Sequence, residues 1–156
     1  MPLKFLADAA SSLVSSVTGA AAAASRDEGM AQAMVAVMCG CAYADGQAES
    51  AEKAKFAAAI RLNPVMKNFD QSLLLNAWKE LSDLAEFDLD TGLDACLGKI
   101  RKACEGADRD RRMLVVRMGM AVAVADEDGL EDAEVRFMQR VCAEAGIVPS
   151  EVGLPG

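Results

Sequence analysis

Two short acidic turns hold the residues of this chain best suited to chemistry. Ala44-Asp45-Gly46 is followed by Glu49 and Glu52, and Ala125-Asp126-Glu127-Asp128-Gly129 is followed by Glu131 and Glu134. In each, an apolar helical stretch ends at Asp-Gly and a new helix opens with carboxylates. Clustered carboxylates are what hard divalent cations such as Ca²⁺ and Mg²⁺ require, because these ions take oxygen ligands. Neither turn is an EF-hand, whose loop needs oxygen donors at its first, third and last positions around a central glycine. With Gly129 at the centre, Val124 stands first and Val135 last. With Gly46 at the centre, Glu52 stands last, but Cys41 is first and Tyr43 third.

Taken singly, each turn has a simple structural reading. Gly46 and Gly129 end helices, and the acids after them complement the positive N-terminus of the next helix. The repetition adds a second reading, because a duplicated acidic turn implies two related helical hairpins. If a pseudo-twofold relates them, the two turns lie close and pool their carboxylates. Like charges at that range repel unless a cation or a basic partner neutralises them.

The chain contains no histidine. Ser-His-Asp and Cys-His nucleophile arrangements are thereby excluded, as is every zinc site that uses His. Five cysteines occur, Cys39, Cys41, Cys96, Cys104 and Cys142, with no CxxC pair. All fall in segments that read as helix, where free Cys packs as a small apolar residue. An odd set of such thiols points to a reducing, cytoplasmic compartment. Cys39 and Cys41 could in principle meet a thiophilic oxyanion, but side chains two apart diverge on a helix. The formal charge of −8 argues against nucleic-acid binding, which relies on Lys and Arg at phosphates.

The elements that position the turns read as helices throughout. Residues 1–29 form an Ala/Ser-rich arm or tether, with Leu3, Leu6, Ala10 and Val17 at weakly helical spacing. Residues 30–44 are almost wholly apolar, with Met30, Met34, Val37, Met38 and Cys41 on one stripe. That stretch reads as a buried helix, too short to cross a bilayer. A surface helix is expected over 50–62 and ends before Pro64. Asp70 caps the next helix, which turns Leu73, Leu74, Ala77, Trp78 and Leu81 inward. Phe87-Asp88-Leu89-Asp90-Thr91-Gly92 is a junction, and Leu93, Leu97 and Ile100 continue the core. Glu105-Gly106-Ala107-Asp108 separates this helix from the one leading into Met113. The last helix spans 132–145 with Val135, Met138 and Cys142 inside, and Gly146 ends it. No stretch alternates with period two. The predicted fold is therefore all-α, with six to seven helices. Lys99, Arg101, Lys102, Arg109, Arg111, Arg112 and Arg117 gather in one stretch, which reads as a solvated face or as a basic docking patch.

The order and spacing of four of these segments resemble the TerB family of tellurite-resistance proteins. They are Val35 through Glu52, the junction Phe87 to Gly92, Met118-Gly119-Met120-Ala121-Val122-Ala123 leading into Asp128-Gly129, and Cys142-Ala143-Glu144-Ala145-Gly146-Ile147 with Gly153-Leu154. The resemblance covers residues 30–154. It implies two pseudo-symmetric helical bundles sharing central helices, and a divalent cation, Ca²⁺ or Mg²⁺. Its ligands would be Asp45, Glu49 and Glu52 with Asp128, Glu131 and Glu134, and Asp126 beside them. It also implies a role in tellurite and chemical-stress resistance, in the cytoplasm or at the inner face of the membrane through a partner. The partners implied are the membrane protein TerC and the Ca²⁺-binding TerD type. The reading that follows is a non-enzymatic interaction module. The alternative is a thiol-based or metal-dependent enzyme acting on tellurite or a phosphorylated substrate.

Overall fold

A computed structural model describes residues 28–44, 46, 67, 69–123 and 131–156. Among these residues it contains five α-helices, one 3₁₀ turn and no strand. The helices are α1 (Glu28–Tyr43), α2 (Gln71–Phe87), α3 (Leu89–Cys104), α4 (Arg109–Ala123) and α5 (Asp132–Ala145), and the 3₁₀ turn is Pro149–Val152. The all-α class read from the sequence holds. Residues 1–27 of the arm expected over 1–29 and the helix expected over 50–62 lie outside the described residues, and Glu28 and Gly29 belong to α1.

α1 is the centre of the bundle. It packs against α2, α3, α4 and α5. Met30, Met34, Val37 and Cys41 are buried as the stripe predicts, but so are Ala31, Ala33, Val35, Ala36, Cys39, Gly40 and Tyr43. A helix apolar on every side is a core helix. Its small residues let neighbours approach closely, and its three methionines, Met30 and Met34 buried and Met38 half-buried, fill the gaps. Burying a Met or Leu side chain contributes about 1.5–3 kcal/mol, so the fold depends on this helix most. It starts at Glu28, slightly earlier than the apolar run, with an acid in its positive first turn.

Local chemistry sets the other boundaries. Asp70 accepts the backbone N–H groups of Ser72 at 2.9 Å and Leu73 at 3.2 Å, which fixes the start of α2. The junction between α2 and α3 is a single residue, Asp88. Its N–H closes α2 on the Leu84 carbonyl at 2.9 Å, and its carboxylate opens α3 by accepting the Thr91 N–H at 3.0 Å. The Thr91 hydroxyl donates to the same oxygen. Asp108 opens α4 by accepting the Arg111 N–H at 2.9 Å. α5 ends at Gly146 with φ 68°, where the Ile147 N–H reaches the Cys142 carbonyl at 2.9 Å. Left-handed backbone at this cap favours glycine.

The Thr91 hydrogen bonds hold the Asp88 carboxyl below the usual carboxylate range. A group whose pKa falls on folding adds stability above its unfolded value, about 3.9, and loses it as pH drops through the lower folded value. Asp88→Asn keeps a capping side chain and removes the titration. Thermal melts from about pH 2 to about pH 6 should then show a shallower loss of stability below about pH 4 than in the parent chain.

Candidate functional site

The end of α1 lies against the start of α5. A β-carbon placed on Gly40 would stand 1.9 Å from Cζ of Phe137, so the α1 backbone lies directly beneath that ring. One residue further along, the Cys41 thiol lies within the field of the Glu134 carboxylate. The chain leaving α1 and the chain opening α5 therefore share one pole of the bundle. Leaving α1, the Ala44 N–H donates to the Cys41 carbonyl at 3.3 Å and the Gly46 N–H to the Tyr43 carbonyl at 2.9 Å. Gly46 has φ 107°, a conformation that only glycine adopts readily.

On the α5 side, Glu134 Oε1 accepts the Glu131 backbone N–H at 3.1 Å. This satisfies a donor at the helix start and fixes the Glu134 side chain over the first turn. Of the carboxylates singled out from the sequence, Glu131 and Glu134 are thus placed at this pole. Asp45, Glu49, Glu52, Asp126 and Asp128 lie outside the described residues. Among the described residues, no group of three or more His, Cys, Asp or Glu side chains is arranged to hold a metal ion.

The α2–α3 corner joins the same pole. The Tyr43 hydroxyl, at the end of α1, donates to Glu86 Oε1 at 2.8 Å near the end of α2. Sequence reasoning did not find this pair, because nothing local in either helix encodes a partner so distant in the chain. Burial, with the Glu86 carboxylate beside it, pushes the Tyr43 phenol well above its ordinary value. Tyr43 is the only tyrosine, so absorbance reads it alone. A pH titration should show no phenolate at about pH 10, where free tyrosine ionises. A midpoint near that value would mean that the ring is not packed against Glu86.

The thiols are all buried and unpaired by disulfide. The Cys96 thiol beside it, together with burial, pushes Cys39 far up. Burial, then Glu134, does the same to Cys41. Burial raises Cys104 and takes Cys142 to about 11. At neutral pH these four stay protonated, and a buried thiol is a poor nucleophile.

The basic stretch is distributed differently from a docking patch. Arg111 Nε donates to the Ala103 carbonyl at 3.0 Å at the end of α3, and Arg112 Nη1 to the Ala145 carbonyl at 3.1 Å at the end of α5. Arg101 pairs with Glu144 at 2.8 Å, and Arg109 pairs with Glu151. Lys99 reaches Gln32 at 2.8 Å and Glu80 at 3.7 Å. Cations at helix C-termini meet exposed carbonyls and the negative end of the dipole. Arg111 and Arg112 thus brace helix ends from half-buried positions, while Arg101, Lys102 and Arg109 stay on the solvated face, at the pole opposite the end of α1 and the start of α5.

No helix among the described residues is long and apolar enough to cross a membrane. The family described as Tellurite resistance protein TerB matches residues 31–154 of the chain. No curated protein and no solved structure matches it.

Proposed function

Since the chain belongs to the TerB family of tellurite-resistance proteins, we propose that it serves tellurite and chemical-stress resistance as a non-enzymatic, cation-dependent interaction module. The observation that carries this reading is the meeting of α1 and α5 at one pole, through Gly40 beneath Phe137, with Cys41 in the field of Glu134. In this reading Asp45, Glu49, Glu52, Asp126, Asp128, Glu131 and Glu134 pool their oxygens around a divalent cation, Ca²⁺ or Mg²⁺. The cation offsets their mutual repulsion and fixes the surface that partners contact. The partners are other Ter proteins, the membrane protein TerC and the Ca²⁺-binding TerD type, met in the cytoplasm at the inner face of the membrane. Burial of all five thiols speaks against the rival reading of a thiol-based reductant.

Calorimetric titration with Ca²⁺, Mg²⁺ and Zn²⁺ tests the proposal. Binding heat is expected with Ca²⁺ or Mg²⁺, accompanied by a higher melting temperature. A ligand at a hundredfold its Kd stabilises the folded state by about 2.7 kcal/mol. The pair Asp45→Asn and Asp128→Asn should each weaken the heat while leaving helix content intact. No heat with any of the three ions and an unmoved melting temperature would end the cation reading.

A further inference from the structure

Phe87 is the most exposed large apolar side chain among the described residues, with 88% of its surface open to solvent. It stands at the last position of α2, one turn after the half-buried Leu84 on the same helix face. Around it Asp83, Glu86, Asp88 and Asp90 are all exposed. The carbonyl end of α2 adds the negative pole of its dipole to their charge. An aromatic ring left in water at the centre of a negative field is poorly explained by folding, because it contributes nothing to the core. The carboxylates nearest the ring also do not form a chelating set. Asp88 is engaged by the Thr91 N–H and hydroxyl, and Glu86 by the Tyr43 hydroxyl. They supply field and rigidity rather than free ligands.

We propose that the α2–α3 corner is a docking surface for a basic, amphipathic segment of a partner protein, with Phe87 as its apolar anchor. Charge complementarity selects the occupant. A chain of net charge −8 repels nucleic acid and anionic membranes. A second copy of this chain is a poor occupant, because its 24 acidic residues outnumber its 16 basic ones, and Arg101 and Arg109 already pair with Glu144 and Glu151. A partner helix with apolar residues on one stripe and Lys or Arg flanking it would cover Phe87 and Leu84 while its cations meet Asp83 and Asp90. A cation over the Phe87 ring face adds a further attraction. This inference rests on the interaction-module reading but not on the cation site.

The test uses the full chain, labelled with ¹⁵N, and a synthetic amidated helix built only of Lys and Leu in an amphipathic repeat. Amide shifts should concentrate at residues 83–91, and binding should weaken as salt is raised. Phe87→Ser removes no core contact, so the fold should be unchanged, and affinity should fall by about tenfold or more. Asp90→Asn should weaken binding less, and mainly at low salt. Divalent-cation heats should be the same in Phe87→Ser as in the parent, which separates failure of this inference from failure of the cation site. Absent binding, shifts centred elsewhere, or equal affinity of Phe87→Ser would overturn it. So would a concentration-dependent dimer that Phe87→Ser abolishes, since the occupant would then be a second copy.

Discussion

Gly40→Ala should lower the unfolding free energy by about 2 kcal/mol, even though alanine is the better helix former. The gain from helix propensity is about 1 kcal/mol. Against it stands a β-carbon 1.9 Å from Cζ, 2.2 Å from Cε2 and 2.6 Å from Cε1 of Phe137. The whole edge of that ring would have to retreat, and Phe137 is only 3% exposed, walled in by the core. Overpacking of this kind typically costs about 1–3 kcal/mol and occasionally more, so the steric term wins. The relief should be specific. Phe137→Leu removes the ring edge that clashes, so Gly40→Ala with Phe137→Leu should be far less destabilised than the sum of the two changes. Neighbours in contact couple by about 0.5–3 kcal/mol. Urea unfolding of the four chains in this cycle measures it. A neutral or stabilising Gly40→Ala would mean that α1 and α5 do not meet here, and the shared pole of the two acidic turns would go with that contact.

Gly92→Ala should cost more, roughly 3 kcal/mol, and should resist repair. Its added carbon would stand 2.3 Å from Cα of Ala85 and 2.5 Å from both its N and its Cβ. Backbone atoms cannot rotate aside, so α2 and α3 would have to separate at a corner closed by the single residue Asp88. Trimming the neighbour as Ala85→Gly removes only the β-carbon and leaves Cα and N in place. The double variant should therefore recover little, in contrast to the Gly40–Phe137 pair. For a chain of this size, each kcal/mol moves the melting temperature by about 2–4 °C, so thermal melts resolve both cases. Full recovery in Gly92→Ala with Ala85→Gly would show that the helices do not pack backbone to backbone there.

What the sequence makes legible is whatever short-range physics decides. Period 3.6 without any period-two stretch sets the all-α class, and capping residues fix boundaries. Asp70 opens α2, Asp108 opens α4 and Gly146 closes α5 where the residue types predict. The Cys positions on helices predict their burial. Long-range pairing is not legible in this way. The run from Lys99 to Arg117 reads as a charged face, and nothing local in it shows that Arg111 and Arg112 donate to carbonyls at the ends of other helices. One of those, Ala145, is remote in the chain. Phe87 reads only as a junction residue, and the one-residue corner at Asp88 leaves it in water. The site is intermediate. Repetition of the Asp-Gly turn hints that two halves belong together, but the hint has no geometry until Gly40 seats under Phe137.

In the proposed function the two acidic turns hold one divalent cation between them. Crystals soaked in Ca²⁺, or in Mn²⁺ in place of Mg²⁺, and measured for anomalous scattering test it most directly. A single strong peak is expected at the pole shared by α1 and α5. Carboxylate oxygens from both turns should lie about 2.3–2.6 Å from a bound Ca²⁺, including at least one of Asp45, Glu49 and Glu52 and at least one of Asp126, Asp128, Glu131 and Glu134. A peak liganded by one turn alone, or no peak at that pole, would contradict it.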